Sequence, residues 1–517
     1  MQTIDFAVLV VYLLAVVGFG CWFVRRSKTS EHFMAAGRSL PGWAVGLSIF
    51  GSYVSSITFL ANPGKAYQDN WNPWVFALSL PLATWLSVRY FVPFYRRSGQ
   101  ISAYEHLERR FGQWARTYAV VCYLLTQLTR LGMILYLLAL ALQPIVGLDI
   151  RILIVAIGIL VIIYPLFGGT EAVIWTGVIQ SVVMSAGPLV CLGLLLARMP
   201  EGPGQILSIA GAEHKFSLGS LGPSLGLSTV WVVLAYGLVM NLQNFGIDQT
   251  YVQRYITAKS DQAARRSVWM GGLLYIPISG LFLFIGTALF AFYRAQPHLL
   301  PADIKPDAVF PHFIGTQLPT GLTGLVLAAV CSAAMDSNLN CCATLLLCDI
   351  YRRYFRPAAS EREAMWVLRL STLGMGILST VVALAMIGAR SALDQWWQWA
   401  GVFGGGMLGL FLLGLMSRRA TNLGALAGAI IGVLTIAWMT VSPAWTEAYW
   451  MTVLARCAAV LRMTLSPTWA AGLARLRSPF HGFLTIVAGT VVILVVGWLV
   501  SQVRNWRTGS TDPPSAP

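Results

Sequence analysis

Apolar runs close to 20 residues long recur from one end of this chain to the other, and nothing constrains its fold more. Twenty helical residues rise about 30 Å, the thickness of a bilayer's hydrocarbon layer. Inside that layer a backbone must satisfy its own hydrogen bonds, which leaves helices and closed barrels, and these runs are too long for barrel strands. Composition agrees: 57% of the residues are hydrophobic and 11% charged, against about 25% charged in a soluble domain. The chain therefore reads as an all-α polytopic membrane protein with about 13 transmembrane helices. They are drawn at 4–24, 42–64, 73–95, 117–146, 151–168, 172–197, 226–247, 267–293, 320–348, 366–388, 396–416, 422–441 and 480–502. The first is not read as a cleaved signal peptide, because no basic region precedes it and Arg25, Arg26 and Lys28 follow it.

The formal net charge of +15 is a matter of topology. With the N-terminus outside, the inner loops and tail hold 22 Lys/Arg and the outer loops 11, as the positive-inside rule requires. The expected placement is a bacterial inner membrane with the N-terminus outside and the C-terminus cytoplasmic. The expected partners are the lipid bilayer and a small-molecule solute, with no nucleic acid; the residues carry no signal for oligomeric state. Residues 442–480 read as an amphipathic outer insertion and 503–517 as a disordered tail. Seven of the eight cysteines fall in spans, leaving only Cys457 in an outer loop, and all six histidines lie in loops or at span ends. No disulfide framework, zinc spacing or buried histidine relay follows.

Two ionisable side chains stand well inside spans, Arg130 and Asp336. Each costs a few kcal/mol or more at mid-membrane unless it faces protein, water or a partner, so each is a functional candidate; mutual neutralisation as a buried pair is the alternative. The stretch "SIFGSYVSSITFLANPG" combines Gly51 with hydroxyls at Ser52, Ser55, Ser56 and Thr58 and ends in Asn-Pro-Gly. Such density predicts a helix interrupted mid-membrane, whose freed carbonyls and N–H groups bind ions and anionic solutes; close helix packing through small residues is the bland reading. A second cluster, with Asn241, Gln243, Asn244 and Gly246, lies five spans later on a span of opposite direction, as an inverted five-helix repeat requires. Along 320–348, Val330, Ala333, Ser337 and Asn340 share a face bordered by Asp336. A carboxylate beside a hydroxyl and an amide suits a hard cation, and equally a proton carrier.

The chain resembles the sodium:solute symporter family through "GRSLPGWAVGLSIFGSYVSSITFLANPGKAY", "FGGTEAVIWTGVIQ", "NFGIDQTYVQRY", "LNCCATLLLCDIYRRY" and "GGGMLGLFLLGLMSRRATNLGALAG". It is most similar to the bacterial sialic acid branch, through "SSITF" and the arginine of "LTRLGMILYLLALAL". The resemblance implies a leucine-transporter-like inverted repeat. The ten-helix core would span 42–416, an extra helix and inner loop 1–41, and peripheral helices 417–502. It implies alternating access driven by Na+, with the main sodium site using the carbonyls of Gly51, Val54 and Val330. It also implies that Arg130 binds a substrate carboxylate, with Ser55 and Thr58 at substrate-contacting positions. Ser52, Tyr53, Asn241 and Asn244 complete the expected substrate set.

The residues depart from that pattern. The two serine ligands of the family are matched by Ala333 and Ala334, and the aspartate of its "WTDxIQ" motif by Gly177. Asp336 and Ser337 fall on the serines that partner that aspartate, so a single Na+ held at Gly51, Val54, Val330, Asp336 and Ser337 is the expectation. Tyr53 replaces a small hydroxyl residue and Ala77 a glutamine, which reshapes the substrate pocket. The reading is cation-coupled symport of a small carboxylate-bearing solute such as a sugar acid. Proton coupling, uncoupled transport and a transport-incompetent solute sensor are the alternatives. No nucleophile–base pair or metal motif points to an enzyme.

Overall fold

The computed structural model describes residues 3–22, 29–334, 338–388, 391–446 and 472–508. Asp336, Ser337, Cys457, most of the outer insertion and the end of the tail lie outside the described residues. The chain is a multi-pass helical membrane protein. Among the described residues, ten helices are long and apolar enough to cross a bilayer, and twelve if each of two bent pairs counts as one span.

In chain order the elements used below are α1 (Thr3–Trp22), the bent pair α2 (Gly42–Tyr53) and α3 (Ile57–Gln68), α4 (Trp74–Ser98), α5 (Gln113–Val146) and α6 (Ile150–Ala197). Next come α7 (Val230–Ile247), α8 (Gln249–Ile256), α9 (Asp261–Ala295), α10 (Pro306–Gln317), α11 (Leu322–Ala334) and α12 (Asn338–Leu345). The series ends with α13 (Glu361–Ala385), a second bent pair α14 (Ala392–Gly404) and α15 (Met407–Met416), α16 (Asn422–Val441) and α17 (Leu484–Thr508). The spans drawn at 151–168 and 172–197 meet at Gly169, whose φ of 64° breaks α6. Ile150–Ile163 of its first part is a shorter apolar stretch and is not among the ten to twelve.

Burial separates interior from lipid-facing helices. In the most apolar window of α5, 78% of the residues are buried, against 22% for α1. The peripheral helix α1 still does one interior job: the carboxylate of Asp5 accepts the N–H groups of Gly321 (2.6 Å) and Gly324 (3.1 Å). Those groups open α11 and have no intrahelical acceptor, so an anion there is stabilising.

The neighbours of α2 and α3 include α9 and α6, and α11 packs on α6 as well. Glycine permits these approaches. A Cβ at Gly286 of α9 would overlap the Pro63 carbonyl, and one at Gly177 of α6 would meet the Ser48 hydroxyl at 2.9 Å. Gly177 therefore brings α6 against α2 at the place where the family pattern puts an aspartate.

Candidate functional site at the helix break

The chain leaves helical geometry at Val54, with φ −83° and ψ 85°, and resumes at Ile57, bending α3 by 53° from α2. Three carbonyls lose their helical partners there. The Ser52 carbonyl accepts the Arg130 guanidinium, Nη2 to O at 2.6 Å. Among the described residues, the carbonyl oxygens of Gly51 and Val54 accept no hydrogen bond. Buried carbonyls are almost always paired, so a gap of this kind points to a ligand such as a cation or water.

Arg130 comes from the interior helix α5 and is 8% exposed. Together with Ser55, Thr58, Asn62 and Asn244 it lines a cavity of about 60 Å³ beside the break. Tyr53 also reaches this cavity, and Asn241 stands behind it, accepting the Tyr53 hydroxyl proton. Ser52 contributes its carbonyl, while its hydroxyl donates to Ser48 O at 3.0 Å within α2. Val330 is fully buried on α11, and Asn340 is engaged on α12, donating to Thr170 Oγ1 at 2.7 Å. Thr170 also receives Gln253 of α8 at 3.1 Å, so one polar knot ties α6, α8 and α12 below the break.

The second polar cluster has no break of its own. Asn241 and Asn244 remain inside a continuous helix, and the interruption falls at Asp248, between α7 and α8. The reason is local: the Asp248 carboxylate accepts the Thr250 N–H at 2.8 Å, an N-cap that starts α8 afresh. Asp248 is 5% exposed, receives Gln127 Nε2 at 3.3 Å, and lies in coulombic range of both Arg130 and Arg254. Arg254, reckoned among loop charges, is instead 2% exposed and donates to Ser48 Oγ and Thr250 O. Arg130 and Asp336 are thus not the sole interior charges. The acid of "GIDQT" is a cap by sequence pattern, but its proximity to Arg130 across 118 positions of chain is visible only in three dimensions. The aromatic lining from α9 and α14, Tyr275, Trp396 and Trp397, was likewise absent from the expected set.

A second unanticipated break lies at Gly405–Gly406, where φ of 110° at Gly406 lets α15 bend 46° from α14. The start of α14 is clamped to α3 and α10. Lys65 Nζ lies 2.8 Å from Asp394 and 2.8 Å from Asp69, and Asp307 of α10 accepts the Ala392 N–H at 2.9 Å. Burial pushes the Asp307 carboxyl up to about 6, aided by Asp394 and opposed by the Ala392 N–H, Lys65 and Lys305. A carboxyl whose pKa rises on folding makes the native state bind more protons than the unfolded one, so its contribution to stability falls as pH rises from about 4 to about 6. Asp307→Asn, which stays neutral, is expected to flatten the pH dependence of thermal unfolding in that window and to melt higher than the parent at pH 7. A parallel pH profile for the two proteins would contradict this.

Comparison with known proteins places these features in context. The model of the sodium:solute symporter family matches residues 33–432. The sodium/sialic acid symporter SiaT of Proteus mirabilis is 36% identical over 440 residues, covering 84% of this chain and 88% of that protein. The sodium/sialic acid symporter NanT of Aliivibrio fischeri is 32% identical over 447 residues, with coverage of 84% and 88%. The solved substrate-bound, outward-open structure of a Na+-coupled sialic acid symporter superposes with a TM-score of 0.85 at 31% identity, covering 97% of this chain and 98% of its own.

Proposed function

This chain belongs to the sodium:solute symporter family, and on that footing we propose that it is a secondary active transporter, coupling the entry of Na+ to uptake of a small carboxylate-bearing solute by alternating access. The observation that carries this reading is Arg130, a buried guanidinium held against the Ser52 carbonyl on the wall of a cavity. A guanidinium matches a carboxylate with two parallel N–H···O bonds and cannot be deprotonated. Ser55, Thr58, Asn244 and Tyr53 are the neutral lining groups that would orient the rest of the solute, with Ser52 and Asn241 behind them.

The carbonyls of Gly51 and Val54 supply hard oxygen ligands for the ion, with Val330, Asp336 and Ser337 as the opposing set. Ala333 and Gly177 remove oxygens from that wall, which favours one coupled ion. One cation crossing about 100 mV supplies roughly 2.3 kcal/mol, and a tenfold gradient adds about 1.4 kcal/mol. Together they sustain a few-hundred-fold accumulation of solute. The core carrying this cycle is residues 42–416, with 1–41 and 417–502 peripheral, the N-terminus outside and the C-terminus cytoplasmic.

The test is uptake into proteoliposomes under separately imposed sodium and proton gradients, over a panel of sugar acids and other carboxylates. Uptake driven by the sodium gradient is expected. Drive by protons alone would reassign the coupling to Asp336 as a proton carrier, and absence of uptake of any solute would favour a sensor.

A further inference from the structure

We infer that Tyr53 makes this site selective for a compact monocarboxylate with a flat or apolar body and closes it to polyhydroxylated sugar acids. The inference rests on the carboxylate-transport reading above and concerns what the rest of the solute looks like.

The aromatic ring of Tyr53 fills the space beside Arg130. It lies 4.6 Å edge-on from Tyr275, stacks on Phe245 at 5.3 Å and leans on Tyr251 at 5.7 Å between centroids. What remains open is about 60 Å³.

The polarity of the wall points the same way. The hydroxyl of Tyr53 donates to Asn241 Oδ1 and receives Asn244 Nδ2 at 3.3 Å. The Asn241 amide N–H groups are already spent on Phe76 O (3.0 Å) and Ser79 Oγ (2.9 Å). Thr58 Oγ1 is within 3.4 Å of the Tyr275 hydroxyl. Tyr53, Thr58 and Asn244, three of the polar groups on this wall, are therefore already hydrogen-bonded to other side chains. A polyol entering here would leave its own hydroxyls unmatched, and unmatched buried hydroxyls are strongly disfavoured.

The remaining wall is a box of ring faces and edges. Phe76 and Trp397 lie 5.3 Å apart, and Tyr236 and Trp397 5.1 Å, all three lining the cavity. One guanidinium surrounded by aromatic rings is complementary to an anion whose body is planar or aliphatic. Position 77, at the end of the same helical turn as Phe76, is a fully buried alanine and adds no polar group.

The experiment is uptake of a labelled small carboxylate in proteoliposomes, competed with pyruvate, benzoate, nicotinate and N-acetylneuraminate, in the parent and in Tyr53→Phe and Tyr53→Ser. In the parent, at least one small carboxylate is expected to compete at a tenfold or lower concentration than N-acetylneuraminate. Tyr53→Ser is expected to shift that ratio at least tenfold towards the sugar acid, and Tyr53→Phe, which keeps the ring and releases the two amides, to shift it less. A parent that takes up N-acetylneuraminate and none of the small acids would overturn this inference while leaving the transport reading intact. A ratio unmoved by a folded Tyr53→Ser would also overturn it. Failure of every carboxylate, sugar acid included, would overturn both. The parent's own ratio decides the matter even where a variant fails to fold.

Discussion

Replacing Arg130 by alanine is expected to lower uptake at sub-saturating solute by a hundredfold or more, with the loss appearing as a weaker apparent Kd. Hydrogen bonds to a charged group contribute about 1.5–3 kcal/mol each, and a fork makes two of them. At about 1.4 kcal/mol per tenfold, a hundredfold is the lower end of that range. Two features of the site add to it. Arg130 holds the Ser52 carbonyl at 2.6 Å, so its removal frees a third carbonyl at the break. It also lies in coulombic range of the buried Asp248, which would keep Arg254 but lose one of its two cationic neighbours near the place a solute carboxylate must occupy. Arg130→Lys keeps the charge and loses the planar fork, so it should recover only part of the affinity. Equal loss in Arg130→Lys and Arg130→Ala would show that geometry, and not charge, dominates.

Asp336→Ala is expected to abolish the dependence of uptake on sodium. In sequence this carboxylate stands two residues beyond the end of α11, the helix that carries Val330. Beyond it, Asn338 is fully buried and its amide finds no hydrogen-bond partner among the described residues. A buried amide left unpaired costs about 1–3 kcal/mol, so a wet or ion-bearing neighbourhood is the economical explanation. The carbonyls of Gly51 and Val54 accept no hydrogen bond either, and the proposed ion site joins them to this segment. The check is initial uptake against sodium concentration at fixed solute. A flat line is expected for the variant, and a sodium curve superposing on the parent's would remove Asp336 from the ion site.

Much of this was legible in the residues. The run Ser52, Ser55, Ser56, Thr58 and the Asn-Pro-Gly end announced a broken helix, and the break lies within it, at Val54–Ser56. Hydropathy placed the long spans because in lipid each helix must satisfy its own backbone. It also separated 151–168 from 172–197 where Gly169 breaks the helix, although no apolar count registers that glycine's positive φ. The triple glycine at 404–406 carried the signal for the second bend and was read only as family similarity. Asn241 accepts the Tyr53 hydroxyl, a pairing across 188 positions that no local pattern encodes. Asp248 was hidden for the opposite reason: its capping role is local and ordinary, and only the folded bundle sets it beside Arg130.

The most direct measurement is equilibrium binding to the purified protein of one small carboxylate and of its uncharged primary amide, each with sodium and with potassium as the sole cation. The account predicts tight binding of the acid in sodium, weaker binding in potassium, and at least a hundredfold weaker binding of the amide in either, because the amide cannot fill the Arg130 fork. Equal affinities for acid and amide would contradict it.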